Sequence, residues 1–168
     1  GEGKTVLITG GSSGIGFALA QILCRQGNNL ILVARRKELL DQRVTELKAQ
    51  SRSPEQNILG IPADVADWVQ VQEMAGQVLA AGLLPDVIIN SAGVVQPGYI
   101  QDLEIQHFKW MMDVNFHGTV HVIMAFLSEM MKRKSGYIVN IASLGGIVGV
   151  FGYTAYSGSK FAVRGFTD

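Results

Sequence analysis

The sequence has one cysteine, four prolines and no excess of either charge, with 14 basic residues against 14 acidic ones in 168. Each shortage excludes something. A lone thiol forms no internal disulfide, and Cys24, inside the apolar helical run "FALAQILCRQG", reads as a core thiol of a reducing compartment. A net charge of zero offers no broad field to nucleic acid or to an anionic membrane surface, so any phosphate must be held locally. Long hydrophobic runs are missing too. The longest weakly polar stretch, Ile138 to Tyr153, is broken by Asn140, Ser143 and four glycines, and a membrane span needs roughly 20 apolar residues. No signal peptide is expected at the start, where "GEGKTVLITG" enters a strand almost at once. With no low-complexity tract or Pro/Gly/Ser-rich linker, residues 1–168 read as a single domain.

What is present is a rhythm of short apolar strands and amphipathic helices. "TVLIT" precedes a helical pattern from about Ile15 to Arg25, and "LILVA" precedes "KELLDQRVTELKAQ", whose charged side reads as a solvated face. "NILGIPAD" leads to "WVQVQEMAGQVLAAG", "DVIIN" to one long helix from about Ile105 to Lys134, and "GYIVNIAS" to a helix from about Thr154. This alternation predicts an α/β fold: a doubly wound parallel sheet with helices on both faces and right-handed crossovers. The first three strands should lie side by side and the fourth on the other flank of the first, which places a ligand crevice at their carboxyl ends.

The loop "TGGSSGIG", Thr9 to Gly16, joins the first strand to the first helix. Gly10 permits the turn, Gly14 lets a pyrophosphate approach the backbone, and Gly16 lets helix pack on strand, with N–H groups aimed at the anion. Ser12, Ser13 and Ile15 complete the candidate contacts. An acid ending the second strand would mark NAD, but the residues there are "VARRK". Arg35 and Arg36 offer guanidinium forks suited to a 2′-phosphate, so NADP(H) is the expected cofactor. That both arginines merely open a solvated helix stays open.

In "YSGSK", Tyr156 and Lys160 are one helical turn apart, so phenol and ammonium can face one small volume. Read alone, the pair favours an ordinary amphipathic one with apolar stems and polar tips. Singly, Ser143 could be a turn serine, Asn115 a buried polar residue satisfied by backbone, and Asp64 a helix cap.

Taken in order, these residues resemble the short-chain dehydrogenase/reductase family across the whole chain. "TGGSSGIG" matches its cofactor loop, Asp64-Val65 its adenine contact, and "NSAG", with Asn90, Ala92 and Gly93, its fourth-strand motif, Ser91 being a slight departure from the commoner "NNAG". Asn115, Ser143, Tyr156 and Lys160 match its catalytic residues. The resemblance implies reduction of a ketone to a secondary alcohol. Tyr156 gives the proton, Ser143 holds the carbonyl oxygen, Lys160 favours the phenolate and holds the nicotinamide ribose, and Asn115 holds a water relaying protons to Lys160. "GVFGYTAYSGSKFAVRGF", "ITGGSSGIG" and "LVARR" further resemble the 3-ketodihydrosphingosine reductase branch. That implies a lipid-like ketone, a homodimer or homotetramer, and a site in the cytoplasm or on the cytosolic face of a membrane reached through segments outside this chain. The alternatives are a steroid, 3-oxoacyl or xenobiotic carbonyl, or a non-catalytic NADP-binding module. The family fold normally continues with two further strands and a substrate loop beyond the position of Asp168.

His117 and His121 stand four apart but lack an acidic or cysteine companion at ligand spacing, so no metal is expected. Met111, Met112, Met130, Met131, Phe108, Trp110 and Phe126 read as helix packing.

Overall fold

The computed structural model describes residues 3–168. Five parallel strands form one sheet: β1 (Thr5–Thr9), β2 (Asn29–Ala34), β3 (Ile58–Pro62), β4 (Val87–Asn90) and β5 (Tyr137–Asn140), in the order β3-β2-β1-β4-β5. The change of direction between β1 and β4 is the switch point expected from the sequence. Between the strands run α1 (Gly14–Arg25), α2 (Lys37–Ala49), α3 (Trp68–Ala80), α4 (Ile105–Met112) and α5 (Gly118–Arg133), and α6 (Thr154–Thr167) follows β5. No helix among the described residues is long and apolar enough to cross a membrane.

Side chains alternate across each strand, so a sheet covered twice must be apolar on both faces. Val6, Ile8, Leu30, Leu32, Ile58 and Ile89 pack against α1 and α2 through Phe17, Ala20, Cys24, Leu40 and Leu47. Leu7, Ile31, Val33, Ile61 and Ile88 point the other way, onto α3 and α5, where they meet Met74, Val78, Val122 and Phe126. Each fully buried side chain of this size stabilises the fold by about 1.5–3 kcal/mol relative to exposure. Cys24 is a core thiol: its Sγ donates to Leu47 O at 3.3 Å, and burial pushes its pKa up. Met111, Phe126 and Met130 are buried as the sequence suggests, whereas Trp110 and Met131 face outward.

The helix read as continuous from Ile105 to Lys134 contains a π-helical turn, Asp113–His117, between α4 and α5. Such a turn adds a residue to the helical circuit and re-aims the side chains within it. Asn115 lies in this turn and is 1% exposed, pointing back under the carboxyl end of β4. Lys134 ends α5 in the left-handed conformation, with φ 55°.

Candidate active site

The glycine loop is built where β1 stops. Gly10 has φ +66°, and a Cβ there would lie 3.0 Å from the Ala92 backbone, so the loop passes directly over the "NSAG" segment. A Cβ on Gly16 would sit 2.5 Å from Gly10 O, which any side chain would have to displace. Thr9 locks the two pieces together: its Oγ1 accepts from both Ser91 N and Ala92 N at 3.1 Å. Nothing local in the sequence marks this task of Thr9, because its partners are 82 and 83 residues away. Ser13 stands at the N-cap of α1 without a side-chain cap bond, and the first turn carries no acid. The opening N–H groups of that helix and its positive dipole end are therefore free to receive an anion.

A crevice of about 470 Å³ lies beside this helix start, lined by Gly10, Ser12, Ser13, Arg35, Arg36, Asp64, Val65, Ala92 and Gly93 among others. One Asp64 oxygen accepts from Ala66 N at 3.0 Å, and the other lies 3.9 Å from Arg35 Nη1. Asp64 thus shapes the turn after β3, while the cap of α3 is Asp67, whose Oδ1 accepts from Val69 N and Gln70 N. A second crevice of about 290 Å³ shares Gly10, Ser13, Gly93 and Val94 with the first and adds Gly14, Ile15, Tyr156 and Lys160. The glycine loop and the Tyr/Lys pair, some 140 residues apart in sequence, therefore face one continuous trough.

Lys160 is 6% exposed, and its Nζ donates to Ile141 O at 2.9 Å, just past β5. Burial pulls its pKa below the ordinary lysine value. The same Nζ lies 5.9 Å from the centre of the Tyr156 ring. Ser143 begins a 3₁₀ turn, Leu144–Gly146, and its Oγ accepts from Gly145 N at 3.2 Å. It is a turn serine, yet accepting leaves its hydroxyl proton available for donation. Ser143 lines neither crevice, but its turn packs on the tyrosine: a Cβ on Gly145 would lie 3.4 Å from the Tyr156 ring.

Asn90, Gly16 and Asn115 stand behind the trough rather than on it. Asn90 Nδ2 donates to Asn140 Oδ1 at 2.9 Å, tying the carboxyl ends of β4 and β5. Asn115 Oδ1 accepts from Val94 N at 2.7 Å, and its Nδ2 donates to Val94 O and to Ser159 Oγ, each at 2.9 Å. Both amide hydrogens are thus spent on protein, Oδ1 keeps one lone pair free, and the backbone carbonyl accepts from Thr119 Oγ1 at 3.0 Å. Ser159 was not singled out in the sequence. Fully buried, it donates to Tyr156 O at 2.7 Å and so links the asparagine to the helix turn that carries the phenol.

The histidines have local partners. His117 Nδ1 lies 2.9 Å from Asp113 Oδ1, and His121 Nδ1 donates to Val65 O at 2.8 Å. Among the described residues no group of three His, Cys, Asp or Glu side chains converges.

Residues 4–168 match the family model described as short chain dehydrogenase. The chain is 39% identical to a 3-dehydrosphinganine reductase of Danio rerio over 99% of its own length and 51% of the relative's. It is 38% identical to a 3-ketodihydrosphingosine reductase of Bos taurus over 99% and 50%. The chain thus spans about half the length of these curated relatives. Among solved structures, an actinorhodin polyketide ketoreductase variant with NADPH superposes with TM-score 0.91 at 31% identity, over 98% of this chain and 62% of the other. L-Sorbose reductase from Gluconobacter frateurii, complexed with NADPH and L-sorbose, superposes with TM-score 0.91 at 25% identity, over 98% and 62%.

Proposed function

Since the chain belongs to the short-chain dehydrogenase/reductase family, we propose that the full-length protein is an NADPH-dependent reductase of a ketone with a long aliphatic portion, such as 3-ketodihydrosphingosine. The observation that carries this reading is the shared trough of the glycine loop, Tyr156 and Lys160. Its shape fits a dinucleotide: an uncapped helix start for the pyrophosphate, Arg35 and Arg36 at one end, and the phenol and ammonium at the other. NADPH, when bound, supplies the hydride for the carbonyl carbon.

The chain's own residues do the rest. Tyr156 gives its hydroxyl proton to the substrate oxygen as charge builds there. Ser143 Oγ–H donates to the same oxygen and fixes its direction. Lys160, held by Ile141 O, places positive charge beside the phenol ring and favours the charge left on it after proton transfer. Asn115 and Ser159 keep Val94 and the Tyr156 turn in register, so donor and trough stay aligned. The site acts in the cytoplasm or at the cytosolic face of a membrane, in a homodimer or homotetramer.

An apolar substrate is supported by exposed apolar side chains on the two loops that leave the trough at Val95 and at Ala142. Val95, Tyr99, Ile100 and Phe151 are all exposed, and the Tyr99 and Phe151 rings pair at 5.2 Å beside a recess of about 310 Å³. Gly98 N donates to Gly152 O at 2.8 Å, joining this loop to the one that runs from Ser143 to Tyr156. The assay is NADPH oxidation by the full-length protein with 3-ketodihydrosphingosine and with 2-butanone. Each methylene buried contributes about 0.8 kcal/mol, so kcat/KM should favour the long ketone by well over tenfold. Equal values for the two ketones would refute the lipid-like reading.

Cofactor choice gives a second expectation. Charge-assisted hydrogen bonds contribute about 1.5–3 kcal/mol each, so the Arg35→Ala/Arg36→Ala double variant, which removes one from each arginine, should bind NADPH roughly 10²–10⁴-fold more weakly, with NADH little changed. Tighter binding of NADH than NADPH by the parent protein would contradict the assignment.

A further inference from the structure

We propose that Arg43, on the face of α2 that reads as merely solvated, is a positioning residue that holds the glycine loop from behind in the form that binds the phosphates. Its Nε donates to Ser12 O at 3.3 Å, across 31 residues of sequence. Its guanidinium carbon lies 4.5 Å from the centre of the Phe17 ring on α1, and its Nη1 donates to Glu46 Oε2 at 2.8 Å. Glu46 Oε1 in turn accepts from Gln21 Nε2 at 3.4 Å. One planar fork therefore ties α2 to both the loop and the helix that the loop opens, a geometry lysine cannot reproduce.

In a planar trans peptide the C=O and the next N–H point in opposite directions. Anchoring Ser12 O toward Arg43 therefore turns Ser13 N–H away from α2. Ser12 and Ser13 line the 470 Å³ crevice and Arg43 does not, so that N–H is directed to the crevice side. A cation on the carbonyl also polarises the peptide and strengthens its N–H as a donor. Ser12 is 4% exposed, so loss of Arg43 leaves a nearly buried carbonyl short of its partner and free to rotate the peptide. The role rests on the nucleotide reading of the crevice, and the test separates the two.

The full-length protein and its Arg43→Met and Arg43→Lys variants are titrated with 2′,5′-ADP and with NADPH by calorimetry, and amide exchange is followed over residues 10–16. Methionine keeps an apolar stem on Phe17 but loses the donor. Kd for both ligands should rise about tenfold in Arg43→Met, the size of one lost hydrogen bond to a charged group. Exchange in the loop should accelerate, KM for NADPH should rise in step, and kcat at saturating NADPH should stay within about twofold, since Arg43 does not touch the reacting end. Arg43→Lys keeps the charge and should fall between the two, which covers the case in which methionine unfolds the protein. If the parent binds both ligands and the variants bind them equally well, the role of Arg43 is overturned while the nucleotide reading stands. If the parent binds neither ligand, both are overturned.

Discussion

Tyr156→Phe is expected to lower kcat for ketone reduction by about 10²–10⁴-fold, the range that a positioned proton donor contributes. Kd for NADPH should change by less than about twofold. The substitution removes one oxygen and keeps the ring that Gly145 packs against and that Tyr153 meets edge-on at 6.2 Å. Stability should therefore hold, and the loss should fall on kcat rather than on KM, because proton donation develops only in the transition state. Turnover within a factor of about ten of the parent would mean that the proton comes from elsewhere.

Lys160→Met should separate stability from activity. Lys160 is 6% exposed, and the burial that lowers its pKa from the ordinary 10.5 is a cost of keeping an ammonium out of water. Its hydrogen bond to Ile141 O offsets part of that cost. With the folded value depressed, the unfolded chain binds more protons between the two values, so stability rises with pH from the lowered folded value toward 10.5. Below that lowered value, where the ammonium is kept in the fold, the penalty is present in full. Methionine fills a similar volume without it, and Tm should rise by about 2–4 °C for each kcal/mol relieved, while turnover collapses and the alkaline gain disappears. A lower Tm with unchanged turnover would show that the ammonium is held for the fold.

Tyr156 and Lys160 were legible because their spacing is local: i and i+4 on one helix share a face whatever the tertiary structure. The strand order was legible for a similar reason, since short apolar runs alternating with amphipathic helices leave few topologies open. Partners distant in sequence were not. Thr9 meets Ser91 and Ala92, Ser159 meets Asn115, and Arg43 meets Ser12, and in each case neither residue type nor local pattern names the other member. The π-helical turn at Asp113–His117 was hidden because its apolar spacing fits an ordinary helix. Only the need of Asn115 to reach Val94 and Ser159 gives it a reason. Asp64 and Asp67 illustrate the same limit at short range: both can cap, and the position of the first turn of α3 decides for Asp67.

We propose that Ser143, Tyr156 and Lys160 act together on a ketone beside NADPH bound in the trough. This is tested most directly by incubating the full-length protein with NADPH deuterated at the transferring C4 position and 3-ketodihydrosphingosine, then locating the label by mass spectrometry. The product alcohol should carry deuterium on its carbinol carbon, be formed by the parent and be lost with Tyr156→Phe. An alcohol that forms without the label, or the absence of any product from a protein that binds NADPH, would contradict it.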